Sequence, residues 1–464
     1  MLRNWNFNID IDLTQKDEPM YRQIADKVRE QILRGALRPG EALPGSREMA
    51  ELLGVSRKTV ITAMDQLIFG GWLENRERVG LFVAQKLPVT HDDAAEPVAP
   101  THIRLHINDG FPDTQLMPFE ELSRAYRQTF NRTARWKMMG YTDPAGYPAY
   151  RHALSQQLSQ SRGLPCTENE ICVTRGSQQA LYLTAHALMH SGDTIAVEWP
   201  CYPNALAAFA SAGLNVVHIP VDDDGIIVDQ LASHPEVRAV YVTPRYQYPT
   251  TVTLSAKRRK ELAHLATERD MLVIEDDFGA NFQFQGRPLM PLCTQLSMAH
   301  SVYIGTSSKI LAPALRMGFI ATSADMVRRI AEYRHLIDIQ GDNIMERAIM
   351  SLLENGDVQR HLKRAARTYS ERLDYLAGQI TRRMPDGVTF HHPHGGLAVW
   401  IGLPGQGWHE RLLACGIDAP VFTLADGSEG VRIGYASLQK EEMALIVDVI
   451  QHECIRLSHH TQNS

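Results

Sequence analysis

The sequence predicts an α/β protein of two modules, a small helical one followed by a larger one built on a parallel or mixed sheet. Residues 102–464 alternate β-branched apolar runs with helical stretches, which favours a sheet sandwiched between helices. Residues 19–84 instead carry apolar residues at steps of three and four, the spacing of amphipathic helices. The two modules are therefore predicted separately, each from the spacing of its own apolar residues.

Length and composition agree with this division. The chain has 464 residues, more than one ordinary core, and its 44% hydrophobic and 22% charged residues are typical of a soluble globular protein. No apolar run approaches the roughly 20 residues that span a bilayer, and the start lacks the apolar segment of a signal peptide, so we expect a cytoplasmic location. The six cysteines form no close pair, which indicates neither a disulfide framework nor a metal site.

Three helices are predicted in the first module. The first runs from about Tyr21 and stops at Gly35. The second is expected to begin with Ser46 as its N-cap and to end at Gly54, and Ser56 is expected to cap the third. Two helices joined across "LGVS" make a helix-turn-helix.

A β-hairpin wing is predicted after these helices, because short apolar pieces at 72–73 and 81–83 flank the polar stretch "ENRERVG". The wing and the first turns of the third helix would present one basic surface to a DNA major groove. Its members are Arg47, Arg57, Lys58, Arg76 and Arg78. Bulk charge does not support DNA binding, since the chain carries a net charge of −6 and residues 20–84 have ten basic against eight acidic residues. The alternative is that these are solvated charges on a small helical bundle.

The stretch from 85 to 101, "QKLPVTHDDAAEPVAPT", predicts a linker. It holds three prolines, small residues and acids without an apolar period. The predicted domains are therefore 1–84, a DNA-binding module, and 102–464, a larger module that the linker leaves free to change its placement.

Seven strands are predicted in the larger module. They are Glu170 to Thr174, Thr194 to Glu198, Asn215 to Ile219, Ala239 to Thr243, Leu272 to Glu275, Val302 to Gly305 and Gly318 to Ala321. Ligands gather beyond the carboxyl ends of strands in such sheets. The residues with the most chemistry in this module fall at those ends.

Three of these strand ends carry candidate ligand groups. Ser177 and Gln178 open a helix, where backbone N–H groups and a hydroxyl suit a phosphate. Tyr202 follows the next strand and is suited to stacking on a flat ring. Glu275, Asp276 and Asp277 end a buried strand, and one of these carboxylates could face a protonated pyridine nitrogen. Taken singly, these three features are more typical of an ordinary helix start, a core tyrosine and a solvated strand end, respectively.

Lys309 is the residue that links these candidate groups to one kind of ligand. It lies 33 residues after Asp276, in "GTSSKILAPALRMG", among the hydroxyls of Thr306 and Ser308 and seven residues before Arg316. A lysine amine forms an imine with an aldehyde, and the carboxylate, hydroxyls and fixed cation complete what a pyridoxal phosphate pocket needs. The sequence therefore predicts pyridoxal 5′-phosphate as the cofactor.

The first module resembles the winged helix-turn-helix of GntR-type regulators across "YRQIADKVREQILRGALRPGEALPGSREMAELLGVSRKTV". The resemblance implies that DNA is contacted by Ser46, Arg47, Arg57, Thr59 and the wing around Arg78 and Gly80. Val79 and Leu81 depart from the family, which often has a small residue and threonine at these positions of the wing.

Residues 102–464 resemble a fold-type I aminotransferase, and the whole chain is similar to the MocR-type subfamily of GntR regulators. The matching stretches include "GYTDPAGYPAYRHALSQQLSQSRG", "TRGSQQAL", "IEDDF", "GTSSKILAPALRMGF" and "GVRIGYA". The resemblance implies a large α/β/α sandwich with a small α+β subdomain, and a head-to-tail homodimer that reads paired half-sites on double-stranded DNA.

The resemblance also assigns roles to single residues. Lys309 would form the internal aldimine, Asp276 would face the ring nitrogen and Tyr202 would stack on the ring. The implied phosphate cup is Ser177, Gln178, Thr306, Ser308 and Arg316, and Arg432 would bind the α-carboxylate of an amino acid. 

Three positions depart from the family pattern. Phe278 replaces a tyrosine that bonds the ring hydroxyl, Tyr246 stands where the family has a histidine, and Thr251 replaces a glycine. We expect Tyr246 to supply a compensating hydroxyl within the cofactor site. Efficient transamination becomes less expected than cofactor binding.

Three functions compete. The first is a transcription regulator that senses an amino compound, or the B6 vitamer itself, through an aldimine at Lys309. The second is a working aminotransferase with an appended DNA-binding module. The third is a plain DNA-binding regulator whose large domain is a dimerisation scaffold. The first is favoured because a recognition helix and a lysine, carboxylate and arginine set occur together.

Overall fold

The structure is a computed structural model that describes residues 19–69, 71–76, 80–85, 87, 105–130, 140–307 and 309–462. The chain forms two compact units, Met1–Ala99 and Pro100–Ser464. Of the predicted linker, residues 86 and 88–101 lie outside the described ranges. Within those ranges, no helix combines the length and apolar content needed to cross a bilayer.

The N-terminal unit is a helix-turn-helix followed by a hairpin, as the apolar spacing predicts. Its elements are α1 Met20–Leu33, α2 Ser46–Leu53, α3 Arg57–Phe69, β1 Leu73–Arg76 and β2 Gly80–Val83. The apolar faces of the three helices and the hairpin share one core that includes Ile24, Val28, Val60 and Val83. The two strands are antiparallel, with Leu73 opposite Val83 and Arg76 opposite Gly80.

The ends of these helices correct one prediction and confirm two. Gly45, in extended conformation, is the N-cap of α2, and Ser46 is already the first helical residue. The Ser46 hydroxyl accepts a hydrogen bond from Arg57 Nε at 3.2 Å instead, which ties the two helices together. Ser56 does cap α3, since its hydroxyl accepts from the Thr59 N–H at 3.1 Å. Gly54 ends α2 at φ +64°, a left-handed conformation suited to glycine.

The C-terminal unit contains many more elements. Its strands are β3 Leu105–His106, β4 Ile171–Thr174, β5 Thr194–Trp199, β6 Asn215–Asp222, β7 Gly225–Ile226, β8 Val237–Val242, β9 Leu272–Asp276, β10 Ser301–Thr306, β11 Gly318–Ala321, β12 Thr389–Phe390, β13 Ala398–Leu403, β14 Ile417–Asp418, β15 Val421–Thr423 and β16 Glu429–Gly434. Its helices are α4 Phe119–Phe130, α5 Pro148–Arg162, α6 Gly176–Leu188, α7 Pro203–Ser211, α8 Val228–Ala232, α9 Ala256–Glu268, α10 Ala324–Asp338, α11 Asn343–Glu354, α12 Asp357–Arg383, α13 Trp408–Ala414 and α14 Lys440–Gln462.

A mixed sheet of eight strands forms the centre of this unit, in the order β4-β11-β10-β9-β8-β5-β6-β7. Every predicted strand lies in it. Strands β8, β9 and β10 are parallel neighbours, and β11 runs antiparallel between β10 and β4. The carboxyl ends of the parallel strands therefore meet at one edge, which is where the candidate ligand groups follow their strands.

Helices cover both faces of the sheet, which explains why its central strands are apolar throughout. One face packs on α6 and α7, with Leu181, Ala205 and Phe209 buried beside Ile195 and Ile304. The other face packs on α8 and α9, whose apolar residues share a second core with β8 and β9. A strand buried on both faces does not alternate polar and apolar residues.

A smaller subdomain follows. Its sheet has the order β12-β13-β16-β15 and packs on the long helices α12 and α14. Tyr369, Trp408 and Ile446 are buried in this core. Short β3 pairs in parallel with β14, so the first described residues of the unit are bound to the smaller subdomain.

Candidate functional site

The three acids at the end of β9 have different environments. Glu275 accepts backbone N–H bonds from Leu292 at 3.0 Å and from Cys293 at 2.8 Å. Asp277 accepts two bonds from Arg245, at 2.7 and 3.0 Å, and one from the Tyr303 hydroxyl at 3.0 Å. Burial would raise the pKa of Asp277, but the Arg245 guanidinium lowers it below its ordinary value. Glu275 and Asp277 thus already have hydrogen-bond partners within the protein.

Asp276 is the acid left available to a ligand. Its side chain is buried, its Oδ2 accepts from the Tyr241 hydroxyl at 3.3 Å, and its Oδ1 has no hydrogen-bond partner among the described residues. Burial raises the pKa of Asp276 to about 7, although the Tyr241 hydrogen bond opposes this. A buried carboxylate with one unpaired oxygen is an energetic cost that a cationic ring nitrogen would relieve.

Lys309 projects into the same cavity from the loop between β10 and β11. Its Nζ donates to the Gly110 carbonyl at 2.9 Å and lies 3.8 Å from Asp109 Oδ1. It also lies 4.5 Å from the centre of the Phe111 ring. Burial lowers the pKa of Lys309 to about 8, with Asp109 opposing that shift. The amine is therefore closer to its reactive uncharged form at neutral pH than a surface lysine.

A cavity of about 690 Å³ brings the predicted ligand groups together. The sequence-predicted residues that line it are Ser177, Tyr202, Asp276, Phe278, Lys309 and Arg432. They come from the ends of several strands and from the smaller subdomain, at positions up to 255 residues apart in the chain (432 minus 177). The tertiary fold brings these distant residues into one cavity.

Arg432 enters the cavity from β16 and is almost completely buried. Its Nε donates to the Asp109 carbonyl at 2.9 Å and its Nη1 to the Pro249 carbonyl at 2.8 Å. Its guanidinium carbon lies 4.8 Å from the centre of the Tyr248 ring. Backbone carbonyls thus orient the cation without neutralising it, which suits the binding of a carboxylate.

The predicted phosphate cup is only partly assembled. Ser177 lines the main cavity, but Gln178 and Arg316 line a neighbouring cavity of about 640 Å³. Arg316 donates to the Arg175 carbonyl at 2.8 Å and packs against the backbone of Gly176. Thr306 is buried and donates to the Met317 carbonyl at 3.3 Å, while Ser308 lies outside the described residues. Phosphate binding at Gln178, Thr306, Ser308 and Arg316 therefore stays a prediction.

The expectation for Tyr246 is corrected. Its ring lies against Gly279 and Gly396, outside the cavity, and its hydroxyl donates to the Phe282 carbonyl at 3.1 Å. Tyr248 lines the cavity in its place and donates to Asp109 Oδ2 at 3.2 Å. The two tyrosines are two residues apart, and only the backbone path of the turn decides which one faces the ligand.

Thr251 has a backbone conformation that favours glycine. Its φ is +62°, in the left-handed region, and its N–H donates to the Gln247 carbonyl at 2.7 Å. A β-branched residue there carries a backbone strain of about 1–3 kcal/mol. The turn that aims Tyr248 is therefore held by the surrounding fold and not by the preference of this residue.

The cavity residues that were not predicted from the sequence include Asn108, Asp109 and Phe111. They lie in a short loop after β3, about 200 residues before Lys309. Neither a hydrophobic period nor a spacing links this loop to the lysine. The signal present was an acid beside glycine in "NDGFPD", which alone indicates only a turn.

In the N-terminal unit, the predicted DNA-contact residues cluster at the start of α3. Arg57 and Lys58 are exposed there, Arg47 is exposed on α2, and Ser46 and Thr59 are half-buried. The Thr59 hydroxyl is 2.7 Å from that of Ser56, and Ser46 orients Arg57. The Arg76 side chain and Arg78 lie outside the described part of the wing, so their contribution stays a prediction.

The fold and the site define a class of protein, a helix-turn-helix DNA-binding module joined to an aminotransferase-type domain with a lysine, carboxylate and arginine set. Comparison with known families agrees. Residues 20–83 match the bacterial regulatory proteins of the gntR family, and residues 101–450 match aminotransferase class I and II.

Relatives with both modules are among the matches. The chain is 29% identical over 466 residues to the probable rhizopine catabolism regulatory protein MocR of Rhizobium meliloti, covering 92% of each chain. It is 30% identical over 356 residues to the pyridoxine biosynthesis transcriptional regulator PdxR of Corynebacterium glutamicum, covering 75% of this chain and 76% of that protein. The fold is also similar to that of a kynurenine aminotransferase of Pyrococcus horikoshii solved with PMP, with a TM-score of 0.69 and 26% identity. The match covers 75% of this chain and 91% of that chain.

The chain belongs to the MocR-type subfamily of GntR transcription regulators. Its fold is a GntR winged helix-turn-helix followed by a fold-type I aminotransferase domain, as the sequence predicts. Membership in the aminotransferase family implies pyridoxal phosphate as the cofactor. The unpaired Asp276 oxygen and the buried Lys309 amine in one cavity fit that cofactor.

Proposed function

We propose that this protein controls transcription according to whether an amino compound, or the B6 vitamer itself, occupies the Lys309 cavity. The observation that carries the proposal is the meeting of Lys309, Asp276 and Arg432 in one cavity of a chain that also carries a GntR helix-turn-helix. The regulatory names of its relatives with both modules support this over a purely metabolic role. The proposal therefore depends on the cavity residues of the C-terminal unit and on the helix-turn-helix of the N-terminal unit.

Each residue of the cavity has a distinct part. Pyridoxal phosphate supplies an aldehyde that an amine can bond and a ring that withdraws electrons when its nitrogen is protonated. Lys309 contributes the amine, and Asp276 holds a proton at the ring nitrogen. Tyr202 offers a flat ring for stacking, and Ser177 a hydroxyl at the start of α6 for the phosphate.

Arg432 gives the effector its second point of recognition. Its buried guanidinium is oriented by two backbone carbonyls and faces the cavity. A ligand with a carboxylate would gain a charge-assisted bond there. We therefore propose an amino acid, or a related amino compound, as the effector, with a B6 vitamer as the alternative.

The remaining partners are proposed from the architecture. We propose that residues 85–101 link a DNA-binding domain of residues 1–84 to an effector domain of residues 102–464. A homodimer, head-to-tail, would present two helix-turn-helix units to paired half-sites on double-stranded DNA. Such a protein would act in the cytoplasm, where bacterial DNA lies.

A working aminotransferase is the second candidate, because Lys309 and Asp276 are also what transamination requires and the solved relatives are aminotransferases. Phe278 lines the cavity without a hydroxyl, and Tyr246 points elsewhere, which disfavours turnover. Steady conversion of an amino acid and keto acid pair by the purified protein would favour the enzyme. Binding without turnover, coupled to a change in DNA affinity, would favour the sensor.

The proposed function is tested by titration. Amino acids, amines and B6 vitamers are added in turn to cofactor-loaded protein while visible absorbance and the affinity for an operator fragment are followed at fixed salt. The operator is selected from a random DNA pool by the protein itself. The proposal expects at least one compound to change both signals at the same concentration. It is overturned if no compound that alters absorbance alters DNA affinity.

Arg57→Ala is expected to weaken specific DNA binding by about 1–3 kcal/mol, because one base-reading or phosphate-bonding guanidinium is lost from the start of α3. Anisotropy with labelled operator measures the change, and visible absorbance of the loaded protein should be unaltered. Lys27→Ala on α1 is the control, since Lys27 is half-exposed and pairs with Glu30 at 3.1 Å. If Arg57→Ala alters DNA affinity and absorbance together, the assignment of separate roles to the two units is wrong.

A further inference from the structure

A three-residue loop holds the Lys309 amine in this structure. The Gly110 carbonyl accepts its hydrogen bond at 2.9 Å, the Asp109 carboxylate lies 3.8 Å away, and the Phe111 ring centre lies at 4.5 Å. An acceptor, an anion and an aromatic face around one nitrogen are what an ammonium ion requires. We call Asp109, Gly110 and Phe111 the ammonium site.

The ammonium site is fixed by contacts that do not involve Lys309. The Asp109 carbonyl accepts from Arg432 at 2.9 Å, and its Oδ2 accepts from the Tyr248 hydroxyl at 3.2 Å. Gly110 has φ +110°, and a side chain there would press on Leu397 and Ala398. Asp109 Oδ1, by contrast, has no hydrogen-bond partner within the described residues. One carboxylate oxygen is therefore anchored and the other is kept for a cation.

We propose that the ammonium site holds Lys309 in its charged form whenever the lysine is not bonded to the cofactor, so that Asp109 is a positioning residue that opposes bond formation. This inference rests on the proposed function, and it names a regulation of the same cavity. The site would set the concentration of B6 vitamer at which the protein becomes loaded. That concentration should rise as the pH falls.

The physical reason is a competition for one nitrogen. Only the uncharged amine attacks an aldehyde, so every group that favours the ammonium form weakens bonding. Asp109 and Asp276 favour the charged amine, while burial and Arg432 oppose it. The phenols of Tyr202, Tyr241 and Tyr248 share the cavity, and burial raises the pKa of each above its ordinary value, so they remain neutral at physiological pH.

Asp276 and Asp109 act on the amine at different stages. Asp276 would face the ring nitrogen of a bound cofactor, and its charge would then be compensated there. Asp109 Oδ1 has no hydrogen-bond partner among the described residues and lies 3.8 Å from Lys309 Nζ. Removing the charge of Asp109 should therefore release the amine without removing a cofactor contact.

Asp109→Asn is the test, because asparagine keeps the shape and can still accept from Tyr248. With the charge gone, the pKa of the Lys309 amine falls, and pyridoxal phosphate should bind roughly five- to tenfold more tightly at pH 6.5. Near pH 9.5 the two proteins should bind it equally, since both amines are then uncharged. Asp270→Asn is the matched control and should leave binding unchanged, because Asp270 is exposed, pairs with His300 at 2.9 Å and is not among the residues that line the cavity.

A second measurement uses protein without cofactor. Competitive labelling with acetic anhydride, followed by peptide mapping, gives the reactivity of Lys309 as a function of pH. The midpoint is expected near pH 8 in the unaltered protein and at lower pH in Asp109→Asn. An equal midpoint in both proteins overturns the ammonium site. A shifted midpoint in a protein that never bonds pyridoxal phosphate would leave the ammonium site standing and remove the sensing function.

Discussion

Lys309→Ala is expected to abolish covalent retention of the cofactor. Borohydride reduction of protein saturated with pyridoxal phosphate should fix about one pyridoxyl group per chain on the peptide containing Lys309, and none in the variant. The physical reason is that, among the lysines in the described ranges, Lys309 is the one that combines burial, a pKa lowered to about 8 and a place in the same cavity as Asp276. Fluorescence of the reduced peptides and mass mapping measure the result.

Lys257→Ala is the matched control for that substitution. Lys257 lies on α9, is highly exposed and pairs with Glu261 at 3.7 Å, so its loss should leave the label on Lys309 unchanged. Label on surface lysines of both variants, with position 309 unlabelled in the unaltered protein, would contradict the assignment. In that event the large domain would be only a scaffold for the DNA-binding module.

Asp276→Asn and Asp277→Asn are expected to impair different properties, cofactor binding and fold stability, although the residues are adjacent. Asp276→Asn should weaken binding of pyridoxal phosphate by about 2–5 kcal/mol, or roughly 30-fold to several thousand-fold, because the ring nitrogen loses a buried counter-charge. Asp277→Asn should instead destabilise the fold by about 3–5 kcal/mol, because it leaves Arg245 buried without its anion. Cofactor titration and thermal unfolding separate the two results.

The pH dependence of stability gives an independent check on Asp276. Its pKa is about 7 in the fold and lies near 3.8 when unfolded, so the folded state binds the extra proton between those values. Stability from this group therefore falls as the pH rises from about 4 to 7. Without cofactor, the Tm of Asp276→Asn relative to the unaltered protein should increase from pH 5 to pH 8. A difference that stays constant would mean that Asp276 is ionised and compensated without a ligand.

Much of the fold was predictable because the relevant signals are local. A strand buried on both faces is a short apolar run, so β5, β8, β9 and β10 appear in the sequence within a few residues of their observed bounds. The helix-turn-helix was predictable from its apolar spacing and the turn at Gly54. The exception was the start of α2. The Ser46 hydroxyl accepts a hydrogen bond from Arg57 of α3, and the N-cap of α2 is Gly45.

The candidate site was predictable only where chemistry restricts the residue type. Lys309 and Asp276 stand out because an aldehyde needs an amine and a ring nitrogen needs an anion, and the structure places both in one cavity. Tyr246 and Tyr248 could not be separated, since the turn at Thr251 and not the residue type decides which one faces inward. Asp109 was not found because only the tertiary fold brings its loop to Lys309.

Thr306 and Arg316 illustrate a third situation. Their order along the chain suits a phosphate cup, yet their polar groups bond backbone carbonyls of Met317 and Arg175 in this structure. A threonine hydroxyl or an arginine guanidinium can hydrogen-bond to several alternative partners with similar free energy. The residue type alone therefore does not determine which way the side chain points. The position of a backbone, in contrast, is determined by many contacts together.

The most direct test of the sensing function compares DNA affinity with and without cofactor in two proteins. Anisotropy with the selected operator, at fixed salt, is measured for the unaltered chain and for Lys309→Ala, each with and without saturating pyridoxal phosphate. We predict that the cofactor changes operator affinity at least about fivefold in the unaltered chain, a coupling of about 1 kcal/mol, and leaves the variant unchanged. Equal operator affinity in all four samples, or the same change in both proteins, would contradict control of DNA binding by pyridoxal phosphate at Lys309.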